Sequence, residues 1–220
     1  MERDSQKIEL LAPAKDLQAG MAAVTCGADA VYIGADRFSA REAAGNSVED
    51  IGKLIDFAHL YYAKVYGAVN IILNDNELKE AEKIIHRLYG KGIDGLIIQD
   101  MGLLEMDLPP VPLIASTQMN NCTVEKVKFL EDVGFSRVIL ARELSLEQIK
   151  EIRQTTSIEL EFFVHGALCV GASGQCYMSY AMGGRSGNRG QCAQPCRKLY
   201  SLKDKNGETI RGGRYLLSLY

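Results

Sequence analysis

The sequence predicts an α/β fold, a TIM-like (β/α)8-type barrel that stops before its eighth strand. Three observations support it. Short apolar runs rich in β-branched residues alternate with helix-patterned segments from the start of the chain. The repeating units, about twenty residues long, leave room for the crossover that parallel neighbours require. Polar residues recur where successive strands end, which is where barrels of this class place their active sites.

Seven strands are predicted from apolar runs bounded by turn residues, over 7–14, 29–35, 64–73, 93–100, 111–118, 135–141 and 158–167. Helices are predicted between them over 15–28, 47–63, 76–92, 101–106, 123–134 and 145–156. Ser47, with Glu49 and Asp50 in the first turn, supplies the second helix with an N-cap and a favourable dipole interaction. Glycines end the first and third helices.

The choice between a barrel and an open doubly wound sheet depends on the strand ends. The turn after the first strand, "APAKD", lacks the G-x-G-x-x-G pattern of a dinucleotide site. Polar side chains instead follow five strands, at Asn70, Gln99, Asp100, Thr117, Gln118, Arg142, Glu143 and His165. The barrel is therefore favoured. The final "GRYLLSLY" stops within an apolar pattern, so we expect a piece of a longer protein.

Composition predicts a cytoplasmic protein without a membrane segment. The chain is 47% hydrophobic and 24% charged, as in ordinary globular proteins. It has no run of 18 apolar residues, and its start lacks the basic and apolar regions of a secretion signal. In the reducing cytosol, clustered cysteines are more often metal ligands or redox groups than disulfides.

Charge is unevenly distributed along the chain. The net charge is −3, yet the last 40 residues hold eight cations against Asp204 and Glu208. The cations are Arg185, Arg189, Arg197, Lys198, Lys203, Lys205, Arg211 and Arg214. A basic segment of this kind either meets an anion, such as a phosphate backbone or a carboxylate, or forms a solvated loop; charge alone does not choose between the two.

Four of the six cysteines, Cys169, Cys176, Cys192 and Cys196, lie in a glycine-rich stretch that predicts a loop. Thiolates are soft ligands, and the wide spacing differs from the paired C-x-x-C of a zinc ribbon. An iron–sulfur site is favoured over structural zinc and over thiols without metal. Residues 1–168 would form the barrel body, and 169–220 a cysteine- and glycine-rich segment continuous with it.

His165 comes directly before these cysteines, at a predicted strand end. This position suits a proton donor, a substrate contact or a metal ligand, and equally a hydrogen-bonded structural histidine. The chain has no H-E-x-x-H or G-x-S-x-G protease motif. A nucleophilic Cys169 paired with His165 is disfavoured, because four residues apart at a strand end they need not face each other.

The cysteine region resembles a known family. The stretches "ELEFFVHGALCVGASGQCYMS" (159–179) and "GGRSGNRGQCAQPCR" (183–197) are similar to the signature of the collagenase-like, PrtC-type peptidase family. The opening "ELLAPAKDLQAGMAAVTCGADAVYIGA" and the segments "QDMG", "STQMN" and "ARELS" match in order, so the resemblance covers essentially the whole chain.

The resemblance implies several activities. Members carry a peptidase label, but better understood relatives hydroxylate a cytidine of large-subunit ribosomal RNA or the wobble uridine of transfer RNA. Others support oxygen-independent ubiquinone hydroxylation. The form of "GGRSGNRGQCAQPCR" is most similar to the ribosomal RNA branch. The resemblance also implies a [4Fe-4S] cluster on four cysteines, with prephenate as a co-substrate that supplies the hydroxyl group.

Residue by residue, Cys169, Cys176 and Cys192 match three cluster ligands of the family. The fourth ligand usually follows a "YLLS" segment, and here it is expected beyond Tyr220. Cys196 belongs to the motif without an assigned ligand role, and zinc remains the alternative metal.

We therefore expect an iron–sulfur-dependent enzyme that hydroxylates an RNA base. His165, Arg142 and Glu161 are its candidate catalytic residues. Contacts to phosphate or carboxylate are predicted at Arg185, Arg189, Arg197 and Lys198. The alternatives are an endopeptidase, as the family label states, and an iron–sulfur subunit that works with a homologous partner.

Overall fold

The computed structural model describes residues 8–40 and 45–218, and its centre is a parallel seven-stranded sheet. The strands lie side by side in chain order, from Leu11 opposite Ala30 in the first pair to Ile139 opposite Glu161 in the last. They are β1 Leu11–Ala14, β2 Ala30–Gly34, β3 Lys64–Val69, β4 Gly95–Ile98, β5 Leu113–Ala115, β6 Arg137–Ile139 and β7 Glu159–Glu161. The predicted parallel α/β sheet is confirmed.

Within the described residues, six α-helices accompany the strands: α1 Leu17–Thr25, α2 Val48–Leu60, α3 Asp75–Gly90, α4 Val124–Val133, α5 Leu146–Thr155 and α6 Met178–Gly183. Ser47 caps α2, because its hydroxyl accepts the N–H of Asp50 at 3.0 Å, as predicted. The predicted helix over 101–106 is a 3₁₀ turn, Met101–Glu105. No helix in the described ranges has the length and apolar character needed to cross a bilayer.

The two faces of the sheet carry different cores, because side chains alternate along each strand. Outward residues such as Ile33, Leu96 and Val138 pack with Ile51 and Leu54 of α2 and their neighbours in the main core. Inward residues form a second cluster of Ala30, Tyr66, Ile97, Ile114 and Ile139. An apolar cluster on the inner face is the arrangement of a barrel interior.

The sheet curls into a half-barrel. Arg137 of β6 reaches Glu9, just before β1, with 2.5 Å between Nη1 and Oε1. Residues at nearly opposite edges of a seven-stranded sheet can meet only if the inner face is concave. In the described part of the chain no strand closes the gap between β7 and β1.

The chain beyond the half-barrel ends in an antiparallel hairpin that the sequence analysis did not predict. Its strands are β8 Tyr200–Lys203 and β9 Thr209–Arg214, which form a separate two-stranded sheet. Asp204 closes the connection by accepting the N–H groups of Asn206 and Glu208 at 2.9 and 2.8 Å. β9 therefore ends within the first two residues of "GRYLLSLY".

Candidate functional site

The cysteine loop, defined as residues 165–197, returns over the sheet after β7 and carries all four clustered cysteines. It contains α6 and the 3₁₀ turns Gly187–Arg189 and Pro195–Arg197. Its contacts to the half-barrel lie just after β3, β5 and β6, at the carboxyl ends of these strands. This is the edge at which barrels of this class place their active sites.

Ser173 joins the loop to the end of β6. It is fully buried, and its N–H and hydroxyl donate to the two carboxylate oxygens of Glu143 at 2.9 and 2.8 Å. The backbone N–H and Nε of Arg142 both lie 3.3 Å from the same hydroxyl. Burial would raise the pKa of Glu143, but the hydrogen bonds from Ser173 and the charge of Arg142 hold it below its ordinary value.

Gly174 packs directly against the turn that follows β5. It has a φ of +70°, and a Cβ built on it would lie 1.8 Å from the carbonyl oxygen of Gln118. Only glycine combines this left-handed conformation with such close approach of two backbones. The loop and the end of β5 are therefore in backbone contact two residues before Cys176.

Asn188 and Arg189 bind the segment that joins β3 to α3. The carbonyl of Asn188 accepts the N–H of Ile72 at 3.2 Å, and Nη1 of Arg189 donates to the carbonyl of Ile72 at 2.6 Å. The Arg189 guanidinium also forms a bidentate pair with Glu77, at 3.0 and 2.7 Å. This hydrogen bonding, acting against burial, lowers the pKa of Glu77.

The four thiols of the loop are free, and the charges of three of them act on the fourth, Cys196. Cys169 and Cys192 are exposed, and Cys176 and Cys196 are half-buried. Burial, followed by the proximity of Cys169, Cys192 and Cys176, raises the pKa of the Cys196 thiol. A glycine leaves room beside one of them: a Cβ on Gly171 would lie 2.9 Å from the Cβ of Cys176 and 3.1 Å from its sulfur.

This donor set fits a group bound by thiolates. Soft sulfur donors on a loop that is open to solvent suit an iron–sulfur cluster or zinc. Across residues 8–40 and 45–218, no group of three or more Cys, His, Asp or Glu side chains has the spacing of a metal-binding set. The fit therefore rests on the chemistry of the donors and not on their spacing in this structure.

The three predicted catalytic residues lie in different surroundings. Arg142 holds Ser173, as described above, and His165 is exposed in the stretch after β7. Glu161 is the last residue of β7, and its nearest charged partner is Arg137, 3.6 Å away. Within the described residues no hydrogen bond or ion pair joins these three side chains, so their catalytic roles stay predictions.

An ionic cluster lies on the inner face of the half-barrel, and the sequence analysis did not find it. Arg137, with 11% of its side chain exposed, pairs with Glu9 and with Glu159, which lies 2.8 Å away. Tyr66 donates to the Glu9 carboxylate at 3.1 Å. Burial raises the pKa of Glu161 to about 7, with Arg137 opposing the shift.

The four side chains predicted to bind anions differ in how many of their hydrogen-bond donors are already engaged. Arg189 already pairs with Glu77. Arg185 donates to the Gln191 carbonyl at 3.1 Å, and Arg197 to the Leu168 carbonyl at 3.2 Å, so each retains further donors. Lys198 is exposed, with no ion pair to any described residue.

The polar residues at the strand ends largely hold the scaffold together. Asn70 accepts the Ala40 N–H at 2.9 Å and donates to Ser116 at 3.3 Å, and Thr117 donates to the Leu140 carbonyl at 3.1 Å. Asn121, which the sequence analysis did not single out, is fully buried and bridges the carbonyls of Ser116 and Ile139.

A cleft of about 370 Å³ opens beside the cysteine loop. Its lining includes Gln99, Gln118 and Phe129 from the half-barrel, with Gln175 and Tyr177 from the loop. The last two residues flank Cys176 in the sequence. The cleft therefore offers a ligand aromatic and amide groups from the residues on either side of Cys176, which does not itself line the cleft.

Comparison with known proteins extends these observations. The profile described as Peptidase family U32 matches residues 15–220. The chain is 53% identical to the 23S rRNA 5-hydroxycytidine C2501 synthase of Escherichia coli (strain K12), over 100% of this chain and 34% of that protein. It is 37% identical to tRNA hydroxylation protein P1 of Bacillus subtilis (strain 168), over 92% of this chain and 49% of that protein.

Among solved structures, a U32 peptidase superposes with a TM-score of 0.62 at 15% identity, over 76% of this chain and 72% of that one. This likeness shows a shared fold. The chain spans between about a third and a half of the length of the two curated relatives.

Proposed function

The chain belongs to peptidase family U32, and from that premise we propose that it is part of an iron–sulfur-dependent enzyme that hydroxylates a base of ribosomal or transfer RNA. The observation that carries the proposal is the 53% identity, over the whole chain, to a protein that makes 5-hydroxycytidine in 23S rRNA. That likeness includes the cysteine loop and the strand ends to which the loop is attached.

In this proposal Cys169, Cys176 and Cys192 hold a [4Fe-4S] cluster, and Cys196 lies close to them. A bound cluster of this kind exchanges electrons at a potential set by its hydrogen bonds and exposure. The fourth ligand is proposed to lie after Tyr220, and zinc is the alternative metal. Iron and sulfide analysis of anaerobically purified full-length protein decides between the two, because stoichiometric zinc without sulfide would overturn the cluster.

The chain's own residues would position the substrate and the loop. Ser173, Glu143 and Arg142 fix the loop segment between Cys169 and Cys176. The cleft beside Cys176 is proposed to receive the RNA base, since aromatic and amide side chains suit stacking and hydrogen bonding to an unpaired base.

Charged and titratable groups complete the proposed site. His165 would exchange protons with solvent-exposed substrate atoms. Arg185, Arg197 and Lys198 would contact phosphate or the carboxylates of prephenate, the proposed hydroxyl donor. Arg189 would keep its partner Glu77, so its contribution would be to hold the loop.

The proposal is tested by mass spectrometry of RNA from a deletion strain complemented with full-length variants. Deletion should remove a hydroxycytidine or hydroxyuridine, and the wild-type protein should restore it. Cys169→Ser should not restore it, whereas the matched control Cys26→Ser, outside the cysteine loop, should. Unchanged hydroxylation in the deletion strain would overturn the proposal.

An endopeptidase is the second candidate, favoured by the family name. The cysteine loop would then serve proteolysis, and purified metal-free protein should cleave gelatin. Cleavage that is lost in Cys169→Ser while RNA hydroxylation is unaffected would reverse the order of the two candidates.

A further inference from the structure

The β8–β9 hairpin projects from the half-barrel with little support of its own. All six residues of β9 are exposed, and so are three of the four residues of β8. Its base is held by Tyr200, whose hydroxyl donates to the Pro195 carbonyl at 2.9 Å. An isolated two-stranded hairpin is marginal in water, so this one is suited to lie against a partner.

The hairpin and the residues leading into it are strongly basic. Residues 197–214 hold six cations and two acids in a chain whose net charge is −3. Lys203, Lys205, Arg211 and Arg214 are exposed, and none forms an ion pair or hydrogen bond with its side chain among the described residues. One of the acids, Asp204, has its carboxylate engaged with the turn.

A bulge places the two arginines on one face. Residues three apart in a regular strand face opposite sides. Here Tyr200 pairs with Arg214 and Leu202 with Arg211, with a register shift between the pairs and a φ of +60° at Gly213. Cross-strand partners share a face, so both arginines lie on the face of Tyr200.

That face continues towards the cysteine loop. Tyr200 contacts Pro195, and Pro195 directly precedes Cys196. A polyanion lying along the hairpin would therefore run towards the thiols. A protein partner would have to match at least three cations with acids, whereas a nucleic acid backbone supplies negative charge at every residue.

We propose that the β8–β9 hairpin binds the phosphate backbone of the substrate RNA through Arg211 and Arg214 on this face and Lys205 in the turn; Lys203, opposite Thr209, lies on the other face. This inference rests on the proposed function and assigns a surface to it. Contacts to phosphate position a nucleic acid without reading its sequence. The hairpin would thus orient an RNA strand, while the choice of base is made beside the cysteine loop.

The test uses full-length protein in which Lys205, Arg211 and Arg214 are changed to Gln. The matched control changes three exposed helix lysines, Lys79, Lys83 and Lys128, to Gln, so the change in charge is the same. Binding of fluorescein-labelled poly(U) is measured against salt concentration. For the hairpin variant, the slope of log affinity against log salt concentration should fall by about one for each phosphate contact that is lost. Its affinity for poly(U) should also fall, by at least about tenfold, because several phosphate contacts are lost together.

The outcomes separate this inference from the proposed function. Equal slopes for the hairpin variant and the control would overturn the hairpin inference, while hydroxylation measured in the deletion strain would stand independently. Protection from hydrogen exchange at the hairpin N–H groups that point away from the partner strand, in full-length protein without RNA, would mean that a protein segment covers the hairpin, which would also overturn the inference. Hairpin-dependent RNA binding together with unchanged hydroxylation in the deletion strain would overturn only the proposed function.

Discussion

The hydroxyl of Ser173 donates a 2.8 Å hydrogen bond to Glu143, and this contact joins the middle of the cysteine loop to the end of β6. The Ser173 N–H donates to the other carboxylate oxygen at 2.9 Å. Because Ser173 lies between Cys169 and Cys176, the pair sets where this part of the loop sits relative to the sheet.

Ser173→Ala should destabilise the full-length protein by about 1–3 kcal/mol, because it removes a charge-assisted hydrogen bond at a buried site. Urea unfolding measures the loss. Ser201→Ala, on the exposed hairpin, is the control and should change stability by less than about 0.5 kcal/mol. Equal effects of the two changes would contradict the role assigned to Ser173.

Gly174→Ala should be more damaging, costing upwards of about 2 kcal/mol, since it adds strain at positive φ to a clash with a backbone carbonyl. Gly183→Ala is the control, because a Cβ there meets no atom within 4 Å. Thermal unfolding and thiol reactivity of both proteins provide the measurement. A stable Gly174→Ala protein with unchanged reactivity would show that the loop does not contact the turn after β5.

Glu77 and Arg189 should be energetically coupled. A double-mutant cycle with Glu77→Gln and Arg189→Gln should give a coupling energy of about 1–2 kcal/mol, because the pair is bidentate and partly buried. Additive effects in this cycle would contradict the pairing.

The same ion pair predicts an acid dependence of stability. The pKa of Glu77 is lowered in the folded protein. The stability that the ionised carboxylate contributes is therefore complete above the ordinary pKa of 4.5. The contribution is lost as pH falls through the lowered value. Unfolding measured down to acidic pH should therefore show a smaller loss of stability in Glu77→Gln than in wild type.

Glu161 predicts that stability depends on pH with the opposite sign between acidic and neutral pH. The folded protein keeps its proton up to about pH 7, whereas the unfolded chain releases it near 4.5. Stability should therefore decline as pH rises from 4.5 to 7, by on the order of 3 kcal/mol at most. The Glu161→Gln protein should lack this decline, and Glu159→Gln, whose side chain is 68% exposed, should retain it. If the decline in stability between pH 4.5 and 7 persists in the Glu161→Gln protein, another titratable group causes it.

Much of the half-barrel could be predicted because its signals are local. Strands of a parallel sheet covered on both faces are continuous apolar runs, and Ser47 marks the start of α2. The ionic cluster had no such signal. Arg137 looks like an ordinary strand residue, and its partner Glu9 is 128 positions away. Contacts of that range depend on the curl of the sheet, which no short pattern encodes.

The cysteine loop and the hairpin were predicted less completely. The glycines of "GASG" predicted a loop but not its contacts, and at Gly174 glycine is required because two backbones touch. The sequence "DKNG" (204–207) is a turn signal between the two stretches that form β8 and β9. The irregular alternation of apolar and polar residues in "TIRGGR" obscured the second strand. The arrangement of the thiols depends on the loop's tertiary contacts and could not be predicted from spacing.

The attachments of the cysteine loop to three separate strand ends limit how this region can be transplanted. Ser173, Gly174 and Arg189 each contact a different strand-to-helix connection, so the loop's shape is defined by a surface assembled from distant parts of the chain. A synthetic peptide of residues 165–197 would carry the four clustered thiols and lack that surface. Grafting the loop into an unrelated scaffold would require rebuilding the three strand-to-helix connections that it contacts. Without them, the peptide would sample many distances between its thiols.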